Sequence, residues 1–313
     1  MTQTPDRVAL TGASGFVGRH VLAHLLETGH RVRALVRDPA RLKVGDAGLE
    51  TVKGTLFDSP ALADLVCGVD AVIHLVGIIQ EVPRKRQTFE RVHHEGTRNL
   101  LGAARHANVS RWVHMSALGA RPDADSDYHR TKWDAEQAVR DSGLTYTIFR
   151  PSIIHGHDGE FMQMVKQFAC KRLGGVLPWM PYFGVGLLGK GGAGRLQPVH
   201  VEDVSRCFVT ALTNPKAENQ TYPMGGPDVY AWPQLFETCK RHMPGARAGN
   251  RPRSVPVWYA KLIAGKPGVP FNRDQVIMSQ EDSVCQIAKV QTDFQIELAP
   301  FEETFASYAE RIN

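Results

Sequence analysis

The first half of the chain alternates short apolar runs with stretches whose apolar residues recur at helical spacing. Arg7 to Thr11 predicts a buried strand, and Gly15 to Thr28 predicts a helix with Phe16, Val17, Val21, Leu22, Leu25 and Leu26 along one stripe. Arg31 to Val36 predicts a second strand, with Val32, Ala34 and Val36 on one face, and Leu49 to Lys53 a short third. Ala71 to Val76 is an apolar run of the kind that both faces of a parallel sheet bury. A helix over Thr88 to His106, a strand over Trp112 to Met115, a helix over Asp125 to Asp141 and a strand over Thr145 to Phe149 continue the alternation. Strand–helix alternation implies parallel βαβ units, hence an α/β fold with a doubly wound (Rossmann) sheet over residues 1–150. Right-handed crossovers then bring the strand ends, and any ligand, to one edge of that sheet.

After Pro151 the alternation weakens. Phe161 to Leu173 predicts a helix, Gly174 to Gly194 a long loop rich in Gly, Pro and aromatics, His200 to Leu212 a helix, Gln220 to Met224 a short strand, and Trp232 to His242 a helix. Residues 151–313 are therefore expected to form a smaller, interleaved domain on the substrate or partner side.

With 313 residues, a large core is within reach without disulfides or metals. A formal charge of +5 is far below what a nucleic-acid binder carries, and its one compact basic trio, Arg84-Lys85-Arg86, reads as a solvated loop. The five cysteines (Cys67, Cys170, Cys207, Cys239, Cys285) form no C-x-x-C pair, which argues against zinc or thioredoxin-like chemistry and fits reduced thiols in the cytoplasm. Met1 to Asp6 carries neither a charged nor an apolar leader region, so no secretory signal is expected. Nor does any stretch approach the roughly 18 apolar residues of a membrane span.

The most informative segment is Thr11-Gly12-Ala13-Ser14-Gly15-Phe16-Val17-Gly18, between the first strand and the first helix. Gly12 permits a tight turn, Gly15 lets the backbone approach a pyrophosphate, and Gly18 allows close helix–strand packing. The helix N-terminus, from Ser14 through Phe16 and Val17, then offers free N–H groups and the positive end of its dipole. The expected ligand is a dinucleotide. At the end of the second strand an acid would bond the ribose 2′-OH of NAD and a base the 2′-phosphate of NADP. Arg37 comes first there, with Asp38 positioned to cap the turn at Pro39, so NADP(H) is favoured and NAD(H) remains open.

These residues resemble the short-chain dehydrogenase/reductase superfamily in its extended or atypical branch. The fingerprint T-G-A-S-G-F-V-G is followed by Gly54-Thr55-Leu56-Phe57-Asp58, by Ile73-His74-Leu75-Val76-Gly77, by Tyr128-His129-Arg130-Thr131-Lys132 in the pattern Y-x-x-x-K, and by Arg150-Pro151-Ser152-Ile153. Gln197-Pro198-Val199-His200-Val201-Glu202-Asp203-Val204 matches a segment common in extended members. The resemblance implies that Thr55 and Leu56 lie at adenine, that Leu75, Val76 and Gly77 line the cofactor, and that Pro151 and Ile153 pass the nicotinamide. It further implies that Tyr128 acts as general acid or base while Lys132 lowers its pKa and holds the ribose. Active extended members end the preceding strand with two serines, the second catalytic. Here the pair is Ser116-Ala117, and successive strand side chains point to opposite faces. The stretches Ala71 to Ile79 and Val113 to Ala120 resemble, more narrowly, bacterial relatives of the nucleotide-binding accessory subunit of respiratory complex I. That resemblance implies a cofactor-binding accessory or sensor protein on a respiratory or quinone-linked assembly. The intact Tyr128–Lys132 pair keeps a second reading open, a working NADP-dependent reductase or epimerase on a small or lipid-like substrate. The histidines His93, His94, His155 and His157 lack metal-ligand spacing with a carboxylate, and no metal is expected. The apolar loop Val176 to Leu188, flanked by Lys171, Arg172 and Lys190, admits four readings: a lid, a dimer contact, a membrane or partner patch, or a loop folded on its own core. The membrane reading would put the protein at the inner face of a membrane as a peripheral component.

Overall fold

The computed structural model describes residues 6–42, 45–170, 180–189, 192–266, 269 and 271–312. Six parallel strands come in turn from β1 (Arg7–Thr11), β2 (Arg31–Val36), β3 (Leu49–Lys53), β4 (Ala71–His74), β5 (Arg111–Met115) and β6 (Thr145–Pro151). Their order in the sheet is β3-β2-β1-β4-β5-β6, and the strand Gln220–Met224 extends it beyond β6 as the seventh. The chain reverses its direction of travel between β1 and β4, the place where an open α/β sheet leaves a crevice at the strand ends. β4 is buried throughout and β1 from Val8 onward, as strands covered on both faces must be, with only Arg7 exposed.

The helices follow the predicted stripes: α1 (Phe16–Glu27), α3 (Gly96–His106) and α4 (Asp127–Arg140). The helix expected from Thr88 begins differently, because Glu90–Glu95 forms a π-helical turn before α3. An extra residue per turn is invisible to a 3.6-residue pattern, and such turns widen a helix where a side chain must be aimed inward. The sequence pattern missed α2 (Ser59–Val66), only two turns long, which Asp58 caps by accepting from the Ala61 N–H at 3.2 Å. Leu56, Leu62, Leu65, Leu100 and Trp112 fill the layer between sheet, α2 and α3.

The chain divides into two compact units. The first comprises Met1–Pro151, Val201–Pro223 and Ala288–Ile296; the second comprises Ser152–His200, Met224–Ile287 and Glu297–Asn313. In the first unit, helix Val201–Thr210 packs on α1, with His20 Nδ1 2.7 Å from Glu202 and His24 Nδ1 3.1 Å from the Ser205 hydroxyl. In the second, helices Glu160–Cys170, Trp232–His242 and Phe301–Tyr308 surround a core of Met162, Phe168, Phe236 and Phe305.

The expected loop over Gly174 to Gly194 needs correction. Met180–Gly184 is a strand, paired in parallel with Pro252–Pro256. Pro181 and the flanking glycines disguise it, and prolines are tolerated because the ribbon has only two strands. Residues 171–179, with Lys171, Arg172 and the first part of the Val176 to Leu188 segment, and Lys190 lie outside the described residues. Among the described residues no helix is long and apolar enough to cross a membrane.

The turn from β1 into α1 is the tightest joint of the first unit. Gly12 has φ +81°, and a Cβ on Gly18 would lie 2.0 Å from the Gly12 carbonyl oxygen. We expect Gly18→Ala to lower unfolding free energy by about 1–3 kcal/mol, read from urea denaturation midpoints, because the obstructing atom is backbone. Unchanged stability would mean that the helix start can slide away without cost.

Candidate functional site

The Gly-rich turn opens at the crevice end of β1. Gly15 N–H bonds back to the Gly12 carbonyl at 2.9 Å, closing the turn, and Gly15 is then the N-cap of α1. A capping side chain is absent, and the first turn holds no acid. The leading N–H groups of α1, on Phe16, Val17 and Gly18, thus keep the helix's positive end available to an anion. The three glycines differ in what they permit. A Cβ on Gly12 would meet the Leu75 backbone at 3.2 Å, one on Gly18 would meet the turn itself, and one on Gly15 would meet only the Gly12 oxygen at 3.2 Å. Gly15 is exposed, so its open side is where a phosphate group can approach the backbone. These features fit a dinucleotide's pyrophosphate. Ser14 is half-buried, and its carbonyl accepts from Arg19 Nη1 at 3.2 Å.

At the end of β2, Arg37 is exposed. Asp38 accepts from the Ala40 N–H at 3.1 Å and caps the 3₁₀ turn Pro39–Arg41. Beyond β3, the Thr55 hydroxyl accepts from the Phe57 N–H at 3.2 Å. Leu56 is buried, and a Cβ on Gly96 would meet its Cδ1 at 2.8 Å, so its side chain packs inward. The exposed apolar group of this segment is Phe57, with the Arg91 guanidinium 4.1 Å from its ring centre. Sequence reasoning passed over the exposed Phe57 and Arg19 and the half-buried Arg91, because lone residues carry no periodic signal.

The strand-end residues converge on Lys132. Leu75 is buried, with its N–H on the Thr11 carbonyl at 3.2 Å; Val76 is half-buried and Gly77 exposed. A Cβ on Gly77 would come 3.0 Å from Lys132 Nζ, which donates to the Met115 carbonyl at 3.1 Å. Ser126 caps α4 by accepting from the His129 N–H, and so sets Tyr128 and Lys132 one turn apart on the same face. Tyr128 is half-buried, with its ring edge-on to Phe89, His93 and His129. Ser116 and Ala117 are both buried, and the Ser116 hydroxyl has no hydrogen-bond partner among the described residues. Pro151 accepts from the Leu118 N–H at 2.9 Å in the first unit, whereas Ile153 belongs to the second and packs on its core.

Around Lys132 lies a shell of neutral histidines whose tautomers the network assigns. The Thr97 hydroxyl gives its proton to the His93 carbonyl at 2.5 Å, so it accepts from His74 Nε2 at 3.1 Å. His74 Nδ1 is then the acceptor for the Thr11 hydroxyl at 2.6 Å. The Thr131 hydroxyl donates to the Asp127 carbonyl and accepts from His93 Nδ1 at 2.9 Å, and His93 Nε2 lies 3.1 Å from both the N–H nitrogen and the carbonyl oxygen of Ile78. Burial, then the Lys132 charge, holds His74 down at about 3 and His93 well below its usual range. Burial also keeps His114 neutral. The same burial pushes Tyr128 up to about 12 and Lys132 down to about 8, the latter against the attraction of Glu136. His93 was no candidate in the sequence, since nothing there separates it from its half-buried neighbour His94.

A family profile described as NAD(P)H-binding matches residues 12–168, half of the chain. The chain belongs to the NAD(P)H-binding family of atypical short-chain dehydrogenase/reductases. Among its relatives is the mitochondrial NADH dehydrogenase [ubiquinone] 1 alpha subcomplex subunit 9 of Arabidopsis thaliana. The two are 30% identical over 284 residues, covering 85% of this chain and 67% of that protein. A ceramide reductase of Caulobacter vibrioides is 32% identical over 241 residues, covering 77% and 71%. The fold is shared with an NADPH-dependent quinone oxidoreductase of Escherichia coli complexed with NADPH, at TM-score 0.74 and 18% identity over 98% of this chain and all of that one. The family binds nicotinamide dinucleotides, and the matched region takes in the Gly-rich turn from Gly12 onward.

The buried lysine carries a pH signature. Its native pKa, about 8, lies below the ordinary value of 10.5, so between those limits the unfolded chain binds the extra proton and native stability rises with pH. We expect wild type to gain up to about 3 kcal/mol relative to Lys132→Met between pH 7.5 and 10.5, measured by urea unfolding. A pH-independent difference would mean that Lys132 is ionised at no cost in the native state.

Proposed function

We propose that the protein binds NADP(H) as an accessory or regulatory component and turns over substrate slowly if at all. The observation that carries this reading is the end of β5. The position where active members hold their second serine is Ala117, and the neighbouring Ser116 hydroxyl is buried without a hydrogen-bond partner among the described residues. Loss of one donor to the reacting oxygen costs ~10²–10³ in rate, a defect at odds with retention for turnover. The proposed cofactor contacts are Gly12, Ser14, Gly15, Phe16, Val17 and Gly18 at the pyrophosphate, and Thr55 and Leu56 near adenine. Leu75, Val76, Gly77, Lys132, Pro151 and Ile153 would lie along the nicotinamide half. The relatives named as NADH dehydrogenase subunits support a respiratory or quinone-linked assembly as the setting, with this chain in the cytoplasm or peripheral at the inner face of the membrane. The part of the 176–188 segment that lies within the described residues would take part in such a contact.

Preference for NADP over NAD rests on Arg37. Its partner acid in an NAD reading, Asp38, already spends its carboxylate on the Ala40 N–H. A charge-assisted pair with a 2′-phosphate contributes roughly 1.5–3 kcal/mol. Arg37→Ala is therefore expected to weaken NADPH by roughly tenfold or more and leave NADH nearly unchanged, measured by nicotinamide fluorescence titration. Equal losses for both cofactors would assign Arg37 another role.

A second reading, an active NADP-dependent reductase or epimerase on a small or lipid-like carbonyl or quinone, is favoured by the intact Tyr128–Lys132 pair and by the relative named ceramide reductase. NADPH oxidation with a panel of quinones and ketones separates the two. We expect very slow decay for wild type and a faster one for Ala117→Ser. Fast wild-type turnover that Tyr128→Phe abolishes would overturn the accessory reading.

A further inference from the structure

The second unit carries an apolar surface built by two segments far apart in sequence. Strands Met180–Gly184 and Pro252–Pro256 run parallel, so the chain leaves both at the same end of the ribbon. One exit is the turn Val185–Gly189, in which Leu187 and Leu188 are 79% and 67% exposed. The other is the helix Val257–Ile263, with Trp258 at 54% and Leu262 at 61%, and with Tyr259 also exposed. The two form one surface. Trp258 Nε1 donates to the Leu187 carbonyl at 3.2 Å, and Ser254 donates to the Gly189 carbonyl at 2.5 Å. Gly186 and Gly189 have φ +86° and +67°, values that favour this tight turn. The helix spends Val257 and Ala260 on a small core with Val255, Val276 and Phe271, so its outward apolar residues are surplus to the fold. Exposed apolar groups clustered in this way mark an interaction surface.

The charge around the surface identifies its partner. Residues 161–201 and 238–273, which contain both segments, hold thirteen Lys and Arg and not one Asp or Glu, with Arg195 and Arg241 paired to Asp282 and Glu302 from other segments. The whole chain carries only +5, so everything outside these stretches is net acidic. Lys261 lies in the helix and Lys266 just beyond it, and both are exposed; Arg251 and Arg253, also exposed, lie at the entry end of the ribbon. The nearest acid along the chain, Asp274, opens the helix Arg273–Met278, which packs against this one, and adjoins Arg273. Exposed Leu with Trp and Tyr, edged by Lys and Arg and free of acids, is the composition of a segment that seats at a lipid headgroup boundary. A protein partner would more often be met with charges of both signs.

We infer that the turn Val185–Gly189 and the helix Val257–Ile263 dock this protein peripherally on a bilayer of anionic phospholipid, Leu187, Leu188, Leu262 and Trp258 entering the headgroup layer. The inference is independent of whether the first unit catalyses a reaction. The test is co-sedimentation of the whole chain with phosphatidylcholine vesicles with and without phosphatidylglycerol. We expect binding only with the anionic lipid, weakening as salt rises. Leu187→Asp with Leu262→Asp should reduce partitioning by ~10-fold or more, and Lys261→Glu with Lys266→Glu should remove the anionic preference. NADPH titration should be unchanged in all of these variants, which separates loss of docking from loss of fold. Absence of sedimentation with anionic vesicles at low salt, or equal sedimentation of wild type and the Leu variants, would overturn the inference. So would a wild-type dimer in sedimentation velocity that the Leu variants convert to monomer without any vesicle binding, since the occupant would then be a second copy.

Discussion

The site depends on one steric constraint, the approach of α1 to the turn at Gly12. Gly18 faces the Gly12 carbonyl at a separation that excludes any side chain, and Gly12 itself lies against the backbone at Leu75. This seats the uncapped helix start over the junction of β1 and β4, where the sheet order reverses. The free N–H groups, the strand ends and the crevice therefore coincide. A helix displaced by the width of a methyl group would keep its dipole but lose its register with the strand ends, which is why glycine at position 18 is a packing requirement, whereas a Cβ at position 15 would meet only the Gly12 oxygen.

Electrostatics in the same region follow from burial more than from pairing. Lys132 is held under the strand ends with one carbonyl as its acceptor, while His74, His93 and His114 stay neutral around it. His74 and His93 are held by Thr97 and Thr131, whose own protons go to backbone carbonyls, whereas neither ring nitrogen of His114 has a hydrogen-bond partner among the described residues. The positive charge at Lys132 is then the principal one in the cluster. Tyr128, held up by burial at about 12, is a protonated phenol at neutral pH. That state can donate a hydrogen bond or a proton, as a general acid does, and acts as a base only once ionised.

The second unit departs from the usual economy of a folded surface. Its ribbon and short helix bury a modest core and leave leucines and a tryptophan outward. Exposed leucine in isolation is ordinary; two chain exits joined by hydrogen bonds and bordered by a stretch without acids are not.

Much of the first unit was legible in the sequence. Strand and helix periods reflect local side-chain alternation, and Thr11 to Gly18 encodes a backbone geometry that few residues besides glycine can adopt, so β1, α1, the sheet class and the tight turn between them followed from the residues alone. Arg37 and the capping role of Asp38 were equally readable, because strand end and turn adjoin in sequence. Other features were decided only by tertiary structure. The π-helical turn that aims His93 inward leaves no trace in a 3.6-residue period. Leu56 packs against Gly96 from a helix forty residues on, and its neighbour Phe57 is exposed. The strand Met180–Gly184 exists because Pro252–Pro256 pairs with it, about seventy residues away, and no local pattern specifies that partner. Local preference fixes what a segment can be; which side of it faces solvent, and what lies beside it, is set by contacts between parts of the chain that the sequence keeps far apart.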